Sequence, residues 1–196
     1  ILYLPGTREQ FVYATNNYPY LMGFIKIALL GIMGDLLGGK IVNGEWQLTG
    51  IRISQRILVW GVLGLVFTAV FPLFSYGVAG LLNEGLLPGK ESVFLTAFWK
   101  SFFMNIIFAF PMMIFHRFTD NLIDKGQLFT IWPVVDTFKD IDWKNMFRVV
   151  GAACLWFWIP AHTITFLLPS AFRVMSAALL AIVLGFILGM AKKMSL

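Results

Sequence analysis

The sequence predicts an all-α fold, a polytopic helical bundle in a membrane, and three observations carry that prediction. Hydrophobic residues make up 59% of the chain and charged residues only 13%, with a mean hydropathy of +0.79. Soluble chains carry about 25% charged residues, and half that charge leaves too much apolar surface for a dispersed protein. Apolar runs recur from residue 20 to residue 190, and several reach the roughly 20 residues that cross a hydrocarbon core. These runs also lack the two-residue alternation of a membrane β-barrel. A chain of 196 residues suits one integral membrane domain.

Five spans are predicted. The first covers residues 20–37, the second 57–82 and the third 93–118. The fourth covers 146–159 and reaches full length only by continuing through 160–168. The fifth covers 172–190. Residues 121–145 separate the third and fourth spans. There Trp132, Phe138 and Trp143 are interspersed with Asp136, Lys139, Asp140, Asp142 and Lys144. Such a mixture predicts an interfacial segment with its aromatics at headgroup level. Residues 8–18 have a similar character.

Charge sidedness supports an odd number of spans. Lys40, Arg52, Arg56, Arg117, Lys125, Lys139, Lys144, Arg148, Lys192 and Lys193 fall on one side, against Arg8, Lys90 and Arg173 on the other. Basic residues are retained on the inner side, so the N-terminus is expected outside and the C-terminus in the cytoplasm or matrix. The formal net charge of +5 follows from the same retention. No basic patch alternates with exposed aromatics, so nucleic acid is not expected as a partner. The chain opens on Ile1, which leaves an upstream segment open.

Two stripes of small residues predict close helix packing. Ala177, Ala181, Gly185 and Gly189 lie four apart in the fifth span, and Gly31, Gly34 and Gly38 share a face of the first. They serve either packing within one copy or association of a homo-oligomer.

Polar residues at membrane depth are the main clues to function, because they are costly unless paired or hydrated. Lys26 and Lys100 sit at the same outer depth, where their stems can snorkel to the interface. Asp35 follows Lys26 by nine residues, half a turn out of phase, so the two cannot pair directly. It is expected near Arg52 or Arg56, as a salt bridge or as the lining of an aqueous path. Asn105 lies within the third span. Residues 160–169 hold His162, Thr163 and Thr165 between Pro160 and Pro169. Proline breaks helical continuity, so this stretch is expected to be a non-helical turn facing a polar cavity, or a locally satisfied kink. If His162 lines a path, conductance should respond to pH between roughly 5 and 7. Asp35, Asn105, His162, Thr163 and Thr165 are therefore the candidate pore-lining residues.

No catalytic residue, cofactor or metal site is expected. Cys154 is alone. His116 and His162 are the minimum for a bis-histidine haem, with no redundancy, and His116 fits an interface more simply. The metalloprotease, nucleophile-elbow and phosphate-loop signatures are absent.

The spacing of several residues resembles the peroxisomal membrane protein family that includes the mitochondrial inner-membrane proteins named after the Mpv locus. Pro19 precedes Gly34-Asp35 as in that family. Arg56, Gly64 and Tyr76 match an arginine, a glycine and a tyrosine of its second helix. Pro88-Gly89 is similar to its next Pro-Gly, and Asn105 with Phe108-Ala109-Phe110-Pro111 is similar to its third-helix motif. Its longest signature is met by Trp158, Pro160, Phe166, Pro169 and Arg173, the last two in the family's Pro-x-x-x-Arg spacing. The match requires an inserted residue after Trp158 and a deletion after Phe166. Thr163 and Thr165 replace the signature glutamine and asparagine, and Leu184-Gly185 replaces a Trp-Asn. These departures mark a divergent member. The resemblance implies a protein of a mitochondrial, peroxisomal or bacterial inner membrane, and a channel or permease for small solutes. The alternative is a structural subunit or assembly factor that docks in a larger membrane complex; a membrane enzyme is the third class.

Overall fold

The computed structural model describes residues 5–194, with the side chains of residues 5, 188, 189 and 191–194 outside that description. Gly189, Lys192 and Lys193 thus lie outside the described side chains. Among the described residues the regular structure is all helical, without strands. Seven helices are labelled here in chain order. They are α1 (Pro5–Asn17), α2 (Pro19–Asn43), α3 (Ile53–Asn83), α4 (Val93–Lys125), α5 (Val134–Lys139), α6 (Trp143–Leu167) and α7 (Ser170–Met194). Five of them, α2, α3, α4, α6 and α7, are long and apolar enough to cross a membrane.

Local chemistry fixes the ends. Pro19 opens α2, where its missing N–H costs nothing. Gly44 closes α2 in the left-handed region (φ 81°) and returns its N–H to the Lys40 carbonyl. Ser92 caps α4 by accepting from the Leu95 N–H at 3.2 Å. Arg52 takes a left-handed φ of 50° before α3, rare for a residue with a Cβ. Its guanidinium donates to the Ile123 and Asp124 carbonyls at 2.6 and 2.8 Å. Those carbonyls belong to the last turn of α4, which lacks internal partners.

α2 is the central helix, antiparallel to α3 and parallel to α7. A methyl group on Gly23 would meet the Gly64 carbonyl at 2.8 Å, and one on Gly185 would meet the Gly34 carbonyl at 3.0 Å. The first approach leaves no room for a Cβ and the second is tighter than most side chains tolerate, which is how small residues hold helices together in lipid. Ala181 and Gly185 of the stripe therefore pack on α2 within one copy, while Ala177 packs in the core cluster with Phe71, Met104 and Phe166. The glycines of α2 divide between neighbours. Gly31 faces Trp60 of α3, while Gly34 and Gly38 face Ala181 and Gly185 of α7.

α4 and α6 contain wider turns, with π-type hydrogen bonding at Met104–Ala109, Met146–Gly151 and Cys154–Trp158. Pro111 and Pro160 follow two of these stretches directly. A proline cannot donate to the carbonyl four residues back, and a wider turn upstream lets another N–H take up the frame. The expected non-helical turn is corrected on this point. Residues Ile159–Leu167 are helical. The break comes at Leu168, which is extended (ψ 155°) ahead of Pro169.

The boundaries also move. α4 runs on to Lys125, so the interfacial segment begins later than residue 121. Its short helix α5 is tied to α4 by a Lys125–Asp140 ion pair, and Phe138 stacks near Trp143 and Phe118.

Candidate functional site

The polar residues at membrane depth form three groups along the bundle axis. The first lies at the end that carries α5. Arg56 on the first turn of α3 donates to Asp120 at 2.9 Å and to Asp124 at 2.6 Å. Nδ1 of His116 lies 3.2 Å from the second oxygen of Asp120. His116, Asp120 and Asp124 are spaced four apart, so they share one face of α4. The Trp60 indole rests against the His116 ring, with centroids 4.2 Å apart, and donates to Asp35 at 2.7 Å. The network joins α2, α3 and α4 and satisfies charges that would otherwise be costly here. Asp35 is held by Trp60 and not by an arginine, contrary to expectation, because Arg56 is engaged by Asp120 and Asp124.

The second group lies mid-bundle between α4 and α6. Ser101 donates to the Ile159 carbonyl at 2.7 Å. Asn105 donates to the Ser101 carbonyl at 2.8 Å, and its amide nitrogen lies 3.2 Å from Nδ1 of His162. That arrangement makes Nδ1 the acceptor and leaves the ring proton on Nε2. The Trp158 ring stacks on His162 at 4.8 Å. Oδ1 of Asn105 is buried without a partner. Thr163 and Thr165 face no common cavity with His162. Their hydroxyls turn back along α6 to the Ile159 and Ala161 carbonyls, at 2.7 and 3.1 Å. Of the five candidate lining residues, Asn105 and His162 are brought together, Thr163 satisfies its own helix, Thr165 also meets the Ser176 hydroxyl of α7 at 3.2 Å, and Asp35 belongs to the first group.

The third group is at the opposite end, beside α1. A cleft of about 500 Å³ is lined by residues of α1, α2, α3, α4 and α7. It contains Lys26, Lys100 and Arg173, with no carboxylate in its lining. Lys26 does not snorkel away. It is 7% exposed, donates to Thr15 at 2.7 Å and sits 4.2 Å from the Phe11 ring centre. Arg173 donates to the Leu168 and Phe166 carbonyls and to Ser75, at 3.0, 3.3 and 3.3 Å. It thereby ties the α6–α7 break to α3. Tyr76 stands on the rim, 78% exposed.

A second cavity, of about 60 Å³, lies deeper. That volume exceeds the room one water needs, but the walls are apolar, and such cavities stay dry. His162, Trp158 and Trp60 are among its walls. The two spaces share four helices in register. On α2 the lining passes from Lys26 to Ile27 and Gly31, and on α3 from Phe71 to Phe67 and Trp60. On α4 it passes from Lys100 to Met104 and Phe108, and on α7 from Val174 to Ala177 and Ala181. Phe71, 3% exposed, lines the cleft and reaches His162 in the wall of the cavity. It packs on Phe166 at 5.3 Å and edge-on to His162 at 6.0 Å.

Among the described residues no group of three or more His, Cys, Asp or Glu is placed to hold a metal ion. Trp60, Ser101, Asp120 and Asp124 were not among the sequence candidates. The four-residue spacings of Arg56 with Trp60 and of His116, Asp120 and Asp124 were available signals. No family model, curated protein or solved structure matches the chain.

Proposed function

We propose that this membrane protein is a channel or permease-like protein for small solutes, with its path through the bundle of a single copy. The carrying observation is the stacking of cleft and cavity along the same four helices, with Phe71 as the partition. Beyond the cavity, Trp60 leads to the Asp35, His116 and Asp120 group and so to the other end. Polar and apolar constrictions in series are how narrow pores select and gate. The sequence resemblance to the Mpv and peroxisomal membrane protein family supports the same reading. With the basic residues retained inside, the cleft opens outward and α5 lies on the cytoplasmic or matrix face of a bacterial or mitochondrial inner membrane.

The test is glycerol permeability of proteoliposomes, followed by light scattering. Phe71→Ala should raise permeability several-fold above the parent protein. Removing the ring costs roughly 3–5 kcal/mol of stability, so the milder Phe71→Leu is run beside it and should give a smaller rise. Folded variants no leakier than protein-free liposomes would overturn the reading. That result would favour a structural subunit, for which the closed ion-pair network at the α5 end is the supporting observation.

A further inference from the structure

We infer that the cleft beside α1 is an oxyanion site, in which Lys26, Lys100 and Arg173 hold a phosphate group. This deepens the permease reading, on which it rests only for the passage of what is bound.

Three cations converge on one concavity, and none takes part in an ion pair among the described residues. Several cations at the α5 end are treated differently, although Arg52 there is held by carbonyls as Arg173 is. There Arg56, Arg117, Lys125 and Lys139 each face an aspartate. Positive charge at membrane depth is costly without a counter-charge or water. The chain could have placed an acid in the cleft and has placed none. A cleft lined by one sign of charge concentrates the opposite ion.

The donors are also held in position. Arg173 has five N–H groups. It commits three to Leu168, Phe166 and Ser75, which anchor the guanidinium and leave two N–H groups unassigned. Lys26 commits one of its three protons to Thr15. Lys100 lines the same cleft and has no hydrogen-bond partner among the described residues. Unassigned donors on three separate cations need an anion with several acceptor oxygens, which a halide cannot supply. The phosphate can belong to a small solute or to a lipid headgroup at the bundle rim. The site chemistry is the same for both.

The experiment places the full chain in phosphatidylcholine nanodiscs and adds inorganic phosphate, read by phosphorus NMR line broadening, with sodium chloride at matched ionic strength as reference. Saturable phosphate binding is expected. Lys100→Gln and Lys26→Gln should each weaken it at least ten-fold, and Lys90→Gln, on the loop before α4, should leave it unchanged. A second arm uses nanodiscs containing phosphatidylglycerol. Retention of that lipid through detergent washing, lost in Lys100→Gln, would identify the headgroup as the source of the phosphate. Absence of both saturable phosphate binding and Lys100-dependent lipid retention would overturn the inference. The permease reading fails separately. If phosphate binds while the Phe71 variants pass no glycerol, the site stands and the path does not. If glycerol passes and phosphate does not bind, the path stands without the site.

Discussion

Arg56 holds two carboxylates that differ in burial, and this predicts unequal costs for removing them. Asp120 is nearly enclosed, with its side chain 12% exposed, whereas Asp124 is 61% exposed. Asp120 accepts from Arg56 and faces His116, and each charge-assisted contact is worth about 1.5–3 kcal/mol. Asp120→Ala leaves Arg56 with Asp124, so the guanidinium is not orphaned and the lower end of that range applies to each contact. The expected cost is about 3 kcal/mol. Asp124→Ala breaks an exposed pair, worth about 0.2–1 kcal/mol. The assay is reversible unfolding in mixed micelles with increasing dodecyl sulfate, on Asp120→Ala, Asp124→Ala, Arg56→Met and the Asp120→Ala/Arg56→Met double variant. Neutral hydrogen bonds between membrane helices average about 0.6 kcal/mol. A coupling of about 1.5 kcal/mol or more therefore identifies an enclosed ionic contact. Equal costs for the two alanine variants, or a coupling below about 0.5 kcal/mol, would refute the reasoning.

Two further predictions follow from packing and from charge. Gly185→Leu should destabilise the fold by about 1–3 kcal/mol or more, since a Cβ there already meets the Gly34 carbonyl at 3.0 Å. Leu184→Ile changes shape at nearly constant volume and should cost less, so identical detergent melts for the two would show that the stripe is not a packing face. Single cysteines at Lys40, Lys90 and Glu45 in a Cys154→Ala background should label with an impermeant thiol reagent from opposite sides, Lys90 alone against the other two. Labelling of all three from one side would end the five-span topology.

The five spans were legible because hydrophobic length alone sets them, and the described residues form five helices of that kind. Their ends were less legible. α4 passes Phe118 and continues to Lys125 because Asp120 and Asp124 find Arg56 across the helix pair, so charge does not end the helix. The wider turns in α4 and α6 leave no trace in composition. They depend on which N–H meets which carbonyl, and this is why Pro160 read as a breaker and proved compatible with a helix. Thr163 and Thr165 read as pore polarity, but a threonine hydroxyl can be satisfied by the carbonyl four residues back without leaving its helix. The sequence places Asp35 near Arg52 or Arg56, and competition from better-placed aspartates on α4 decides otherwise. Lys26 and Lys100 were visible at equal depth. Their convergence with Arg173 required the rotation of α7, which the small stripe fixes by pressing Ala181 and Gly185 onto α2.

The Arg56 network and the cleft beside α1 handle charge in different ways, and the difference bears on where selectivity would reside in the proposed path. At the α5 end each basic side chain within the network is matched by an aspartate, so the network carries little field beyond itself and mainly fixes α3 against α4. At the α1 end the cations are anchored by carbonyls, hydroxyls and an aromatic face, which satisfy hydrogen bonds without cancelling charge. Neutral partners hold a cation in place while leaving its potential in the cleft. Between the ends, Phe71 and the apolar cavity offer an ion neither water nor charge. An anion attracted to the cleft would therefore stop at Phe71 unless the ring moves, and a neutral solute would meet only the steric barrier. Selection by charge at the cleft and passage by movement at Phe71 would then be separable properties of the proposed path, carried by different residues on the same four helices.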